Sequence, residues 1–423
     1  MLTLLTMSFK NIFRYKTRSI ITILAIIVSV CISIVIDGLL RGIGDQSTVN
    51  LIAYESAEAT LFRQGYLEKQ AEFPTDLTID RDELQAIAPI LAEQGTPFSP
   101  RYKTAVELIY YDPENDIDGY VNAVLVGLDP QLDASVFDLP DSVDEGRWLE
   151  MDDEGIVVGA SIAKNLNLHI GSFLTLEGKG KAGFVETFDA QVVGIATTGN
   201  PAVNMSQVFM TLDALDAYLA LDGSVTEIAV SDGKVGVSGL GFADRVQKSL
   251  AVVPRLADVE VCDWKTVNAD LVAVMNGDKG SSYLILIFLF IIAAAGITNT
   301  MIMAVMERRK ECAMLRAMGF SRYEVNWLFV LEGAMTGCLG ALSGALIGAA
   351  VNYPLARYGI DLTSMVSSDM DMGYRVSLIM RSGWYLQSFV GIPSVAVFLA
   401  AFSSFIPVAR SGRSEIAALM RTA

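Results

Sequence analysis

Side chains suited to catalysis or metal binding are scarce in this chain. There is one histidine, His169, among 423 residues, and four cysteines: Cys31, Cys262, Cys312 and Cys338. No two cysteines have metal-ligand spacing, and only Cys262 lies in the acidic part of the chain, so no disulfide framework forms there. A His-based metal site or a Ser-His-Asp arrangement lacks its material. The run Glu114–Gly119 resembles the first half of a calcium loop, but Leu125 stands where a bidentate glutamate would close it, which leaves a solvated acidic turn. No G-x-x-x-x-G-K-[ST] phosphate loop occurs, and Gly236, Gly239 and Gly241 have the wrong spacing for a dinucleotide fingerprint. The expectation is a chain with no catalytic residue, no metal and no cofactor of its own.

Patterned residues point instead to docking and packing. From Glu307 through Arg308, Arg309, Lys310 and Glu311 to Leu315, Arg316, Ala317 and Met318, a short helical pattern carries apolar residues at Ala313, Met314, Ala317 and Met318. It stops at Gly319, and Ser321 is placed to cap the helix that follows. Such a segment is either a helix that docks into a groove on a cytoplasmic partner or an interfacial turn. Further on, Gly333, Gly337, Gly340, Gly344 and Gly348 recur at spacings of three and four, which lets helix backbones approach closely, either between subunits or within the chain. Glu332 needs a partner or must snorkel to the inner surface. Asp37 is placed to reach the outer headgroups, and His169 to be a surface or packed residue rather than a ligand.

The elements that position these residues are membrane spans. The chain is 52% hydrophobic and 19% charged, with mean hydropathy +0.43 and net charge −17. Soluble chains have about 45–50% apolar and about 25% charged residues. Disorder is excluded by the apolar content, and an acidic chain is repelled by nucleic acid. Four segments reach the ~20 apolar residues that a bilayer requires: 19–40, 283–306, 327–351 and 389–409. The first is too long for a signal-peptide core and lacks a small-x-small site, so it reads as a retained span.

Charge sets the orientation. Residues 1–18 hold Lys10, Arg14, Lys16 and Arg18 with no acid; the inner segment 307–326 and the tail 410–423 are also net positive. The 41–282 insert has 16 basic against 39 acidic residues, a net of −23. By the positive-inside rule both termini are cytoplasmic, and the insert and the short 352–388 loop lie outside. Leu4–Tyr15 reads as an interfacial helix on the inner leaflet or as an extension of the first span. The insert mixes strand patterns (104–111, 120–127, 173–177, 190–195, 208–211, 226–231) with helical ones (82–93, 161–166, 212–221, 242–253), an α+β arrangement with βαβ-like packing before Trp264. The fold class expected is an α-helical membrane protein with four transmembrane helices and a large α+β extracytoplasmic domain between the first two.

Met306–Gly319, with Glu324 and Leu331-Glu332-Gly333, resembles the coupling segment of the FtsX/MacB/LolC–LolE class of ABC transporter permeases, where Glu-Arg-x-x-Glu leads into Leu-Arg-Ala-x-Gly. Gly146-Arg147-Trp148, the Gly155–Leu166 run, Gly171 before the 173–176 strand and Val193-Gly194-Ile195 resemble a MacB-like outer core. The tail matches more loosely, with Ser414-Glu415 in place of the Asp-Pro often found there. Trp264, Val267, Leu271 and Asp278-Lys279 are similar to the segment preceding the second span in lipoprotein-releasing permeases, whereas the Glu177–Phe188 hairpin is shorter than a chaperone-hooking loop.

The resemblance implies a multi-pass inner-membrane permease that pairs with a second copy or a related permease and with an ABC ATPase dimer holding ATP and Mg. Glu307, Arg308, Glu311, Leu315, Arg316, Ala317, Met318 and Gly319 would couple ATPase closure to the outer domain. It further implies release of lipoproteins toward a periplasmic carrier, with acyl chains held by Ile27, Val30 and Ile34 in an apolar cavity between the first and second spans of the paired subunits. MacB-like efflux of peptides or amphiphiles and FtsX-like signalling to a wall hydrolase are the alternatives.

Overall fold

The computed structural model describes residues 16–112, 117–181, 183–233, 241–307, 309–361 and 379–411. The chain forms two compact units. One takes in the apolar helices, and the other is built mainly from 44–275. The Leu4–Tyr15 helix, residues 114–116 of the acidic run, Arg308, and the tail from 412 lie outside the described residues.

The longer helices are α1 (Lys16–Leu51), α2 (Arg81–Glu93), α3 (Leu212–Leu219), α4 (Phe242–Leu250), α5 (Ala269–Glu307), α6 (Arg309–Ala317), α7 (Arg322–Arg357) and α8 (Leu386–Ser411). Among the described residues, α1, α5, α7 and α8 are long and apolar enough to cross a membrane. α1 and α5 continue well beyond the apolar stretches, to Leu51 and from Ala269 respectively.

The outer unit is built on one mixed sheet. Its strands are β1 (Ala59–Arg63), β2 (Phe98–Asp112), β3 (Ile117–Leu128), β4 (Val143–Gly146), β5 (Ile156–Gly159), β6 (Phe173–Lys179), β7 (Val185–Ala196), β8 (Gln207–Thr211), β9 (Glu227–Val230) and β10 (Val259–Asp263). They lie in the order β10-β1-β9-β2-β3-β8-β5-β7-β4, with β6 on β2 and β7.

The first four of these strands have a recognisable logic. β9 is antiparallel to both β1 and β2, so β1–α2–β2 is a parallel pair with a strand between. β9–α4–β10 repeats the arrangement around β1. The result is a split β-α-β-β-α-β, ferredoxin-like pattern, the βαβ packing expected before Trp264. Burial follows periodicity here: Ile87 and Leu91 of α2 and Phe242, Val246 and Leu250 of α4 close on Leu61, Ile228 and Val259 in one core. α2 opens on a reciprocal Asp80/Glu83 capping box. A second core fills the other half, where Leu108, Leu125, Val158, Leu176, Val192 and Val208 meet Leu215 of α3. The expected 82–93, 161–166, 212–221 and 242–253 helices occur as Arg81–Glu93, Ala160–Asn165, Leu212–Leu219 and Phe242–Leu250.

Glycines of the MacB-like motif permit close strand contact. Gly146 has φ +76°, and a Cβ there would collide with the Val193 carbonyl. Trp148 then lies against Phe209, ring centroids 5.6 Å apart. His169 is exposed, its backbone N–H donating to Ser172 Oγ at 3.1 Å.

Candidate functional site

The site begins at α6 and the turn that joins it to α7. Gly319 has φ +101°, the left-handed conformation that glycine adopts without a Cβ penalty. Its N–H donates to the Arg316 carbonyl at 3.1 Å, and the Phe320 N–H donates to the Leu315 carbonyl at 3.1 Å. These paired bonds are a Schellman closure, which satisfies carbonyls that the helix end would otherwise leave open. The next helix starts at once. Ser321 accepts from the Glu324 N–H at 3.2 Å, while the Glu324 carboxylate accepts from the Ser321 N–H at 2.8 Å, a complete capping box.

Packing locks this turn. Leu315 and Phe320, the two residues joined by the Schellman bond, pack against Val325 and Phe329 of α7. The other face of α6 is bare: Met314 and Met318, one helical turn apart, are exposed, as is Ala317. The predicted coupling residues therefore divide. Leu315 faces inward as an anchor, Gly319 makes the turn, and Met314, Ala317 and Met318 form an outward apolar ridge. Glu311 and Arg316 are half-buried.

The glycine stripe of α7 also divides. A Cβ on Gly333 would overlap Ser404 Oγ, and one on Gly337 would lie 2.7 Å from Ala400 Cβ, so these two face α8. A Cβ on Gly340 would lie 2.8 Å from Ile26 Cβ, and one on Gly344 2.9 Å from Val30 Cβ, while Gly348 meets Ile34; these three face α1. Of the two possibilities for the stripe, packing between helices of one chain accounts for all five positions.

This packing corrects the placement of the acyl-chain residues. Val30 and Ile34 are 0% and 1% exposed, sealed by the glycines of α7, and only Ile27 is half-buried. The crevice beside them, lined by Val30, Phe290, Ile297 and Ala396, has a volume of about 10 Å³, room for a single water at most. Among the α1 side chains that stay open are Ile20, Leu24, Val28 and Ile32. Four-residue steps place them on another face from Val30 and Ile34.

One further expectation is corrected, and one open choice is decided. Asp37 does not reach out to headgroups but is 5% exposed. Its carboxylate accepts from Arg41 Nε at 3.1 Å and from the Ser388 hydroxyl of α8. Arg41 in turn lies over the Tyr385 ring at 5.5 Å. Glu332 is 1% exposed, so it does not snorkel. Burial of a carboxylate in an apolar span requires such partnering.

Sequence reasoning missed a strap at the other end of the bundle. The Gly383 N–H donates to the Gly38 carbonyl at 2.9 Å, and the Ser382 N–H to the Leu355 carbonyl at 3.2 Å. Fully buried Asn352 of α7 accepts from Ser382 Oγ at 2.5 Å and donates to the Gly383 carbonyl at 3.1 Å. Gly38 and Gly42 leave room for it; a Cβ on Gly42 would strike the Arg381 carbonyl. The available signal was an asparagine ending an apolar span and two glycines four apart in α1.

Comparison with known proteins agrees with this anatomy. The FtsX-like permease C-terminal family model matches residues 283–416, and the MacB-like periplasmic core domain model matches residues 19–235. An ABC transporter permease of Methanocaldococcus jannaschii is 23% identical over 97% of this chain and 95% of its own length. The lipoprotein-releasing system transmembrane protein LolC of Neisseria meningitidis is 24% identical over 58% of this chain and 64% of its own. The macrolide export ATP-binding/permease protein MacB of Hyphomonas neptunium is 20% identical over 49% and 36%. With the core-domain model covering half of the chain and the permease model its last three apolar helices, this chain belongs to the FtsX/MacB/LolC class of ABC transporter permeases.

Proposed function

We propose that this chain is the permease subunit of an ABC transporter whose separate ATPase dimer, holding ATP and Mg, drives the outer domain, and that it extracts lipoproteins from the inner membrane. The observation that carries the coupling reading is the α6–α7 joint, an exposed Met314/Met318 ridge on a helix welded to α7 by Schellman closure, capping box and apolar contact. A push on that ridge is transmitted because the joint has no slack residue: Phe320 alone separates Gly319 from the Ser321 cap. In this reading α1, α5, α7 and α8 all cross the membrane, both termini and α6 are cytoplasmic, and a large α+β domain lies outside.

Lipoprotein release is favoured by the LolC relatives. Since Val30 and Ile34 are sealed, the acyl chains are held instead on the open faces of Leu24, Val28 and Ile32 on α1 and of Ile285, Phe288 and Ile292 on α5. These faces are completed by a second permease, either a copy or a relative. A mechanical output with no carried substrate is the second reading, favoured by the crevice of about 10 Å³.

The test is affinity purification of the tagged chain in mild detergent with mass spectrometry of what co-elutes. An ATPase, a second permease and acylated proteins together support the proposal. An ATPase without acylated protein moves the assignment to efflux or signalling. Met314→Asp/Met318→Asp should lose the ATPase while the permease still folds and elutes; retention of the ATPase would refute docking at α6.

A further inference from the structure

A groove between α7 and α8 is not used by the coupling joint or by the glycine seam. It has a volume of about 290 Å³, near the lower bound of small-molecule sites. Tyr323, Trp327 and Val330 line it from α7, and Phe398, Phe402 and Phe405 from α8. Each set follows helical spacing of three and four, so two stripes face each other across the groove. Tyr323 and Trp327 meet edge to face at 5.9 Å, and Phe398 stacks on Phe402 at 6.3 Å. The aromatics on both walls are exposed, and among the described residues the polar side-chain groups of the lining are the Tyr323 hydroxyl, the Trp327 indole N–H and the Asn326 amide. Rings with one polar end occupy the membrane–water boundary, apolar body toward the chains and polar tip toward the headgroups.

Charge identifies the occupant. The stretch 307–324, which leads into the first turn of α7, has five basic residues (Arg308, Arg309, Lys310, Arg316, Arg322) against three acids. In sequence, Arg410 stands at the end of α8 and Arg413 just beyond it. The groove is thus apolar, and its two walls adjoin, in sequence, two segments rich in basic residues. This chain is strongly acidic elsewhere, so the local reversal of sign attracts an anion at that level of the membrane.

We infer that this groove binds an anionic phospholipid, one acyl chain lying between Trp327 and Phe402 and the phosphate drawn to the basic segment that includes Arg316. The inference rests on α7 and α8 crossing the membrane and not on what the transporter carries, so a negative lipoprotein experiment leaves it standing.

A chain in which Trp148, Trp264 and Trp384 are replaced by Phe leaves Trp327 as the sole indole. It is reconstituted in phosphatidylcholine nanodiscs containing an equal mole fraction of either bromine-labelled phosphatidylglycerol or bromine-labelled phosphatidylcholine. The phosphatidylglycerol label should quench Trp327 with an apparent affinity about fivefold higher. Added salt should reduce that preference. Ala401→Phe, which fills the groove, should abolish the quenching advantage, and Arg316→Gln should lower it. Equal quenching by both lipids means bulk contact and overturns the inference. No quenching by either means that protein covers the groove, which also overturns it, and Ala401→Cys would then crosslink two copies. The unmodified chain supplies a check independent of the Trp replacements. Lipids co-extracted with it should be enriched in phosphatidylglycerol over the bulk membrane, and those with Ala401→Phe should not.

Discussion

Individual residues of the outer unit have chemistry that environment has displaced from its usual range. Burial, with Glu260 and Asp263 nearby, pushes the Cys262 thiol up to about 11. Only the thiolate is alkylated. With the other three cysteines replaced by serine, iodoacetamide should label Cys262 at pH 8 on the order of a hundredfold more slowly than a free thiol of pKa about 8.5. The rate should keep climbing above pH 10, and a plateau near pH 9 would contradict this assignment. Glu58 is also raised, mainly by burial, against hydrogen bonds from Ser231 and backbone that favour its charged form. An acid raised in the folded state takes up protons on folding. Its stabilising contribution is present below the ordinary carboxylate value and lost as pH rises through the raised one. Glu58→Gln should therefore raise the melting temperature of the full chain at neutral pH and flatten its decline between the ordinary and raised values. An unchanged profile would remove Glu58 as the cause. Arg101 and Asp133 are both fully buried, joined at 2.7 and 2.9 Å, with Ser99 on the same carboxylate and the Phe137 ring 3.5 Å from the guanidinium carbon. Removing one partner leaves a bare charge, so Asp133→Ala should cost about 3–5 kcal/mol. Arg101→Met/Asp133→Leu should recover most of it, as read by denaturant melts of the outer unit's signal in the full chain.

At the scale of elements, the α6–α7 joint converts two cap motifs into a rigid elbow. Gly319→Ala places a Cβ in the left-handed region, at a cost of about 1–2 kcal/mol. The expected outcome is an assembled complex whose substrate-stimulated ATP hydrolysis falls several-fold while basal hydrolysis persists; unchanged stimulation would mean that the elbow carries no force. This joint was legible in the sequence because glycine, serine and glutamate each have a local, backbone-level reason to stand where they do. The spans were legible for the same reason, since length and apolarity are properties of the segment alone. What faces what was not. Val30 and Ile34 look no different in sequence from Leu24 and Val28, and only the placement of Gly344 and Gly348 across the bundle decides which pair is sealed. Asp37 likewise sits near a span end, where either headgroups or a neighbour could satisfy it. The choice fell to Ser388, far along the chain. In the outer unit the helices were legible from their apolar period, while short strands such as β1 and β10 were found only through their pairing.

For the molecule as a whole, three apolar helices form one block. α7 is seamed to α8 by Gly333 and Gly337 and to α1 by Gly340, Gly344 and Gly348, and the 381–383 strap ties the ends of α1 and α7 together. The α5 span is the least enclosed of the four, so a conformational cycle that keeps the block intact moves α5 against it. A disulfide between Ile34→Cys and Gly348→Cys, positions where a Cβ on glycine lies 3.4 Å from Ile34 Cβ, falls close to bridging geometry. Oxidising it should leave ATPase-coupled activity within about twofold of the reduced protein, as expected when a crosslink constrains parts that do not separate. A large loss on oxidation would show that α1 and α7 part during the cycle.

The Asp37–Ser388 bond also sets a condition on how the protein is made. Its two ends are 351 residues apart. At about 5–20 residues per second, Ser388 emerges from the ribosome roughly 20–70 s after Asp37. Throughout that interval the acid has only Arg41, one turn along its own helix, to offset the cost of its burial. The expectation is that insertion of the first span relies on a local ion pair that the finished fold uses as one of two partners. An Arg41 substitution should depress the yield of inserted protein more than the stability of what has been inserted.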